Sequence, residues 1–171
     1  RVLIVRVLGP DGEVVTDAKA VGDYKTEEGK GKKARAVRKE DGSLWLVPEQ
    51  GFLDVLSGAT AGEAYVRVSS DQYGEQTIPL SPGSSLSLTV RFEGAAVLVV
   101  EVSGYEGSAL EGDLKLELVR LDSGGEAYGT RERQGGKRKV DPSGKETIGP
   151  VQPGDYELQL LVKEDGKDRV A

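Results

Sequence analysis

Strict alternation of apolar and polar residues marks several stretches of this chain. Residues 86–92, LSLTVRF, carry apolar side chains at every second position and polar side chains between them. Residues 114–118, LKLEL, follow the same pattern, and residues 156–162, YELQLLV, follow it apart from Leu161. A period of two is typical of strands that bury one face, so each stretch is predicted to be a half-buried strand.

Turn-forming pairs separate the predicted strands, and no window of eleven or more residues shows a helical period of 3.6. The pairs are Asp11-Gly12, Asp41-Gly42, Ser143-Gly144 and Asp165-Gly166. Short strands that are punctuated this often by tight turns indicate an all-β sandwich or barrel.

The chain also repeats itself at an offset of 95 positions. Residues 2–9 read VLIVRVLG, residues 97–104 read VLVVEVSG, and six of the first twelve positions are identical in the two copies. Both stretches are almost wholly apolar, which predicts strands that are covered on both faces. Because an internal repeat marks a folding unit, we predict two tandem domains, residues 1–93 and residues 94–171.

The second repeat is shorter than the first. GFLDV at 51–55 resembles GDYEL at 154–158, and both are interpreted as the same strand of the fold. The first repeat then continues to the strand at 86–92, whereas no counterpart of that strand follows in the second repeat. An unpaired sheet edge is prone to aggregation, so we expect the missing strand to come from beyond Ala171 or from another chain.

The amino-acid composition limits the kinds of catalytic and metal-binding site that the chain could form. The 171 residues include no cysteine, histidine, asparagine or methionine, and the formal net charge is -6. The chain therefore lacks a thiolate nucleophile, the commonest general base and the commonest ligands of transition metals. We expect no enzymatic activity, no cofactor and no metal site, and an acid pair in a cleft is the one catalytic arrangement left open. No apolar run is long enough to span a membrane.

Positive charge is concentrated in two segments of this acidic chain. Residues 25–39 carry seven cations and two anions, and residues 131–139 carry five cations and one anion. The two segments occupy equivalent places in the repeats. Each is interpreted either as a solvated hairpin that keeps a sheet edge soluble or as an anion-binding surface. The candidate binding residues are Lys30, Lys32, Lys33, Arg35, Lys137, Arg138 and Lys139.

The positions of the aromatic residues, which lie outside both basic segments, weigh against nucleic acid as a partner. Neither basic segment contains an aromatic side chain on which bases could stack. The single tryptophan, Trp45, lies between Leu44 and Leu46 on a predicted strand. Exposed, it would stack on a sugar ring, but we interpret it as a core residue.

The pattern resembles the carboxypeptidase regulatory-like domain, a prealbumin-like β-sandwich. The resemblance is carried by the apolar first strand, the short turns GPDG (9–12) and GYEG (104–107), and the run IGPVQPGDYELQL (148–160). The corresponding run LWLVPEQGFLDVL (44–56) has Gln-Gly in place of Pro-Gly and Leu53 in place of tyrosine. The resemblance implies two tandem prealbumin-like or Ig-like antiparallel β-sandwiches, and comparison of the repeats indicates that the second lacks its last strand. Related B-type domains of Gram-positive adhesins and pilins share this fold.

This resemblance also implies the kind of function. Such domains are non-catalytic modules that are attached to secreted enzymes or strung along surface proteins. The main hypothesis is a structural or interaction module of a longer exported surface, adhesive or filament-forming protein, located outside the cell or on its surface. Its partners would be other protein domains or copies of itself. The alternative is an accessory module that holds a secreted enzyme on acidic polysaccharide or neutral glycan.

Overall fold

The computed structural model describes residues 1–104, 114–121, 132–141, 143–164 and 167–170. The chain divides into two compact units, residues 1–94 and residues 95–171. Apart from one short helix, the regular elements of the described residues are strands, which confirms the all-β prediction. No helix in these ranges is long and apolar enough to cross a bilayer. The predicted turn at Asp165-Gly166 and most of the turn at 104–107 lie outside the described residues.

The first unit contains two sheets. Its elements are β1 (Leu3–Leu8), β2 (Lys19–Thr26), β3 (Gly29–Lys30), β4 (Ala34–Arg35), β5 (Val37–Arg38), β6 (Leu44–Leu46), α1 (Gln50–Ser57), β7 (Gly62–Ser70), β8 (Gly74–Leu80) and β9 (Ser87–Arg91). The strand orders are β5-β6-β1-β9 and β3-β2-β7-β8, and β4 also pairs with β2. All pairs are antiparallel except β1 with β9, which run parallel.

Alternation along the strands builds the core between these two sheets. Leu3 and Val5 of β1 are fully buried, whereas Arg6 is exposed, so the prediction that this strand is covered on both faces is wrong. Val90 and Phe92 are buried, as the pattern of residues 86–92 predicts. Seventeen buried apolar side chains from both sheets and the helix form one continuous core.

The helix α1 corrects the interpretation of residues 51–55 as a strand equivalent to 154–158. Residues Gln50–Ser57 are helical, whereas residues 156–158 lie in a strand. Apolar residues spaced three and four positions apart form one stripe of a helix. The buried side chains of this stripe are Phe52, Val55 and Leu56. The helix ends at Gly58, whose φ of 75° is a left-handed conformation that glycine adopts without strain.

Trp45 lies on β6 between two core leucines and points the other way. Leu44 and Leu46 are 2% and 0% exposed, whereas Trp45 is 37% exposed. Its indole N–H donates to the hydroxyl of Ser43 at 3.0 Å, and the Lys39 Nζ lies 4.9 Å from the ring centroid. The interpretation of Trp45 as a core residue is therefore wrong, because successive side chains of a strand point to opposite faces.

The described part of the second unit repeats much of this plan. Its strands are β10 (Ala96–Glu101), β11 (Lys115–Arg120), β12 (Glu132–Lys139), β13 (Lys145–Val151), β14 (Tyr156–Glu164) and β15 (Lys167–Val170). They form sheets of order β10-β13 and β12-β11-β14-β15. The second order matches β3-β2-β7-β8, with β12 in the place of β3 and β4. No described strand of this unit corresponds to β9.

The first strands of the two units pair in the same way. β1 pairs antiparallel with β6 and sets Leu3 opposite Leu46. β10 pairs antiparallel with β13 and sets Leu98 opposite Ile148. Leu98 follows Leu3 by the same 95 positions as in the sequence repeat. The duplicated segments therefore occupy equivalent positions in their sheets.

Burial in the second unit follows the predicted alternation only in part. The leucines of residues 114–118 are buried, as predicted, but Glu117 on the other face is also buried, at 2% exposed, so the prediction that this strand buries only one face is wrong. In β14, however, Leu158 is 44% exposed and Leu161 is 4% exposed, because both faces of this strand bury side chains. Val97 and Val99 of β10 are 61% and 72% exposed, so the prediction that this strand is covered on both faces is wrong.

Candidate functional site

The first basic segment, residues 25–39, lies along the margin of a sheet. It runs from the end of β2 through β3, β4 and β5. Lys30 lies in β3 and Arg35 lies in β4, and both of these strands pair with β2. Between them, the backbone N–H of Lys32 donates to the carboxylate of Glu49 at 2.8 Å. The segment is therefore fixed to the rest of the unit by hydrogen bonds at three places.

A cleft of about 620 Å³ opens beside β4. Its lining includes five cations and one carboxylate, which are Lys19, Lys33, Arg35, Arg38, Arg67 and Asp17. We call it the cationic cleft. Of the candidates in the first segment, Lys33 and Arg35 line it, whereas Lys30 and Lys32 do not.

Sheet register brings two of these cations to one face. Val21 of β2 pairs with Arg35 of β4 on one side and with Arg67 of β7 on the other. Directly opposed residues in neighbouring strands point to the same face, so the two guanidinium groups flank Val21. Lys19 shares this face because it lies two residues before Val21. Neither Lys19 nor Arg67 was predicted to line a cleft. The alternation of apolar and polar residues around Arg67 indicates only that its side chain points away from the core.

A buried carboxylate holds Lys33 at the cleft. Asp23 is 5% exposed and accepts a hydrogen bond from the Tyr65 hydroxyl at 3.0 Å. The Lys33 Nζ lies 3.8 Å from the same carboxylate. Burial, and next the hydrogen bond to Asp23, raise the pKa of Tyr65 to about 12. Tyr65 therefore remains a hydrogen-bond donor to Asp23 at physiological pH.

Two other lining residues are occupied by structural hydrogen bonds. Asp17 accepts hydrogen bonds from the Ser70 hydroxyl at 2.9 Å and from the Asp71 backbone N–H at 2.7 Å. Burial alone would raise the pKa of Asp17, but these hydrogen bonds outweigh it and lower the pKa. The Arg38 guanidinium donates to the carbonyl of Gly42 at 3.0 Å. Lys19 and Arg67 lie 3.9 and 3.4 Å from the carboxylates of Asp71 and Glu75. Arg35 is exposed and is the cleft cation best placed to meet a ligand.

The candidates of the second basic segment lie at the end of β12 and make intramolecular contacts. The Lys137 Nζ donates to the carboxylate of Asp168 at 2.8 Å. The Arg138 guanidinium donates to the carbonyl of Thr147 at 2.6 Å. Lys139 is exposed. Lys137 and Arg138 therefore tie β12 to β15 and β13.

Asp168 is the acceptor that joins three strands of this sheet. It also accepts a hydrogen bond from the Lys115 Nζ at 2.8 Å. The hydrogen bond from Lys115, and next that from Lys137, lower the pKa of Asp168 to about 2 from its ordinary value of 3.8. The depressed pKa means that the ionised form stabilises the folded state.

We expect Asp168→Asn to destabilise the second unit at neutral pH and to matter progressively less in acid. The folded-state pKa lies below the ordinary value, so the carboxylate's contribution is fully present above about pH 4. It is lost as the pH falls through about 2. Urea unfolding of variant and wild type by far-UV circular dichroism at both pH extremes measures the difference. Lys167→Gln, on the same strand, is the control, and a difference that does not shrink in acid would contradict this account.

Strand β10 carries a second candidate feature. β1 pairs with β6 on one side and β9 on the other, whereas within the described residues β10 pairs only with β13. The backbone N–H of Ile4 in β1 donates to the Leu86 carbonyl, on the β9 side, at 2.8 Å. Val99 is the repeat equivalent of Ile4, so its N–H points to the side of β10 that faces no described strand. We call this side of residues 96–101 the open edge.

Burial differs between equivalent residues of the two first strands. Leu3 and Val5 are 0% exposed, whereas their equivalents Leu98 and Val100 are only half-buried. β9 covers the flank of β1, and no described strand does the same for β10. Within the described ranges, the open edge therefore combines main-chain hydrogen-bonding groups that face no strand with apolar side chains that are not fully covered.

Comparison with known proteins assigns no family to this chain. No family model matches the chain, and no curated protein matches it. A solved structure described as the streptococcal ancillary pilin is similar with a TM-score of 0.31 and 9% identity, over 99% of this chain and 58% of that one. The chain thus spans less than two thirds of that pilin's length. The carboxypeptidase regulatory-like resemblance stays a prediction.

The described lining of the cationic cleft contains one carboxylate, whereas glycosidic cleavage uses a pair of acids. Within the described ranges, no group of three or more acidic side chains is placed to hold a metal ion. What the cleft offers is a concave surface with an excess of positive charge, which attracts anions.

Proposed function

We propose that this chain is a non-catalytic structural and interaction module of a longer exported surface, adhesive or filament-forming protein. Its action is to join polypeptides, because β10 accepts a strand from another chain. That strand completes the second unit as β9 completes the first. The observation that carries this proposal is the open edge of β10, in a chain whose other copy of the same strand is covered.

Addition of a strand to an exposed sheet edge is a recurrent mode of protein recognition. Main-chain hydrogen bonds supply affinity, and pockets for alternate side chains supply specificity. The open edge offers both, through the N–H of Val99 and through the incompletely covered Leu98 and Val100. The first unit supplies the template for the ligand, which is an extended strand of the pattern of residues 86–92 that runs parallel to β10.

The source of this strand, in our proposal, is a second polypeptide of the same modular protein. Partners are therefore other domains or copies of this chain. The resemblance of the sequence to modules of secreted and surface proteins supports a location outside the cell. An edge that captures its proper partner is also no longer free to aggregate.

A peptide of residues 85–92, SLSLTVRF, is expected to bind the full chain at the open edge. Binding should slow hydrogen exchange of the β10 amides by about tenfold or more, because main-chain hydrogen bonds protect amides from exchange. Exchange measured by mass spectrometry with and without peptide tests this. A scrambled peptide of the same composition, in which the apolar residues are adjacent, is the control.

Two variants of Val99 locate the binding. Val99→Pro removes the N–H that faces the open edge and should abolish protection, since proline cannot donate to a ladder. Val99→Thr keeps the donor and should retain protection. If Val99→Pro captures the peptide as well as the wild type does, or if the scrambled peptide protects β10 equally, the proposed mode of assembly is wrong.

A further inference from the structure

The cationic cleft is a site that strand addition does not use. The chain carries a net charge of -6, yet five cations and one carboxylate line the cleft. Three of the cations, Lys19, Lys33 and Arg67, also lie within 4 Å of carboxylates outside the lining. Cations gathered in a concave site strengthen the local potential and raise the concentration of anions there. The volume of about 620 Å³ falls in the range of ligand sites, which is about 300–1,000 Å³.

Arg35 and Arg67 form the two sides of the cleft floor. They are separated by one strand, in which Val21 is paired to both. Neighbouring strands lie about 4.8 Å apart, so the backbones of the two arginines are about 10 Å apart. Between the two arginines in register lies Val21, an apolar lining residue that shares their face.

The two arginines differ in what they offer a ligand. The Nε of Arg67 is buried and forms an ion pair with the Glu75 carboxylate at 3.4 Å, so only the terminal nitrogen atoms of Arg67 are left to donate to a ligand. Arg35 is exposed, and its guanidinium forms no ion pair within the part of the chain that the structure describes. A guanidinium group offers a planar fork of donors that matches the two oxygens of a carboxylate.

We infer that the cationic cleft binds an acidic polysaccharide, with a sugar ring over Val21 and its carboxylate groups on Arg35 and Arg67. The C–H face of a pyranose ring fits the apolar Val21 side chain, and the acid groups fit the forked donors. Among the described residues, no aromatic side chain lines the cleft. It therefore lacks the stacking surface on which single-stranded nucleic acid binding depends.

Binding of polygalacturonate to the full chain, measured by isothermal titration calorimetry at low salt, tests this inference. Arg35→Gln should weaken binding about tenfold, because it removes charge-assisted hydrogen bonds. Lys30→Gln is the matched control, since Lys30 is an exposed cation of the same segment that does not line the cleft. Arg67→Gln should weaken binding as Arg35→Gln does, and its urea unfolding curve shows whether the fold is kept.

Three further probes define the ligand. Heparin carries sulfate groups as well as carboxylates, so it shows whether the cleft prefers a sulfated polysaccharide. Binding of heparin or of polygalacturonate supports the inference if Arg35→Gln weakens that binding. Neutral dextran should not bind. Equal losses for Lys30→Gln and Arg35→Gln, tighter binding of oligothymidylate, or no binding of either acidic polymer would overturn it. Val99→Pro should leave polysaccharide binding unchanged, so a failure here is distinct from a failure of strand capture.

Discussion

Replacing Phe92 by alanine is expected to lower the free energy of unfolding of the first unit by about 3–5 kcal/mol. Phe92 is fully buried and stacks on Tyr73 with ring centroids 5.5 Å apart. Its backbone N–H donates to the Leu8 carbonyl at 2.8 Å, which anchors the end of β9 to β1. The substitution removes a large apolar side chain from between the sheets and leaves a cavity that its neighbours fill only in part.

Trp45 reports on this prediction, because it is the one tryptophan of the chain and lies in the first unit. Urea unfolding is followed by tryptophan fluorescence for the wild type and the variant. Val37→Thr is the matched control, since Val37 is 62% exposed on the outer face, and its effect should stay within about 0.5 kcal/mol. A loss below about 1 kcal/mol for Phe92→Ala would mean that β9 does not complete the core.

Alternation of apolar and polar residues correctly predicts a strand that has one buried and one solvated face. In residues 86–92, the polar side chains of Ser87 and Arg91 are exposed, whereas Val90 and Phe92 are buried. A period of two is readable in such a strand because the two faces meet different environments. The prediction failed for the apolar residues 97–102, because an apolar run does not reveal whether anything lies on its outer face.

The helix α1 could not be predicted from periodicity alone. It has eight residues, too few to show a helical period in a window of eleven. Its place depends on contact with β2, where the Tyr24 and Phe52 rings meet edge to face with centroids 6.1 Å apart. A Cβ atom at Gly51 would lie 2.3 Å from the Tyr24 hydroxyl oxygen, so glycine permits this close approach. Such tertiary contacts override local propensity.

The charge of the candidate site was readable from the sequence, but its geometry was not. The cations of residues 25–39 stand out against an acidic chain. Which of them line the cleft depends on the pairing of β2 with β4 and β7. That pairing brings in Lys19 and Arg67 and leaves out Lys30. Long-range register is set by the packing of the core and is absent from any local pattern.

Alanine substitution at equivalent leucines of the two repeats should have unequal effects. Leu3→Ala is expected to cost about 3–4 kcal/mol, because Leu3 is fully buried and the cavity lies within a closed core. Leu98→Ala is expected to cost about 1–2 kcal/mol, because Leu98 is only half-buried and less apolar area is lost from contact. Hydrogen exchange of peptides that cover β6 and β13 measures the stability of each unit separately.

The strand peptide turns this comparison into a test of the open edge. A strand that adds to β10 is expected to cover Leu98 as β9 helps to cover Leu3. With SLSLTVRF bound, the loss of stability caused by Leu98→Ala should therefore increase toward the loss caused by Leu3→Ala. The cost of Leu3→Ala should not change, because β1 already has both neighbours. If the two leucine substitutions cause equal losses of stability without peptide, then β10 is packed as completely as β1. If the loss of stability caused by Leu98→Ala is the same with and without bound peptide, the peptide binds elsewhere on the chain.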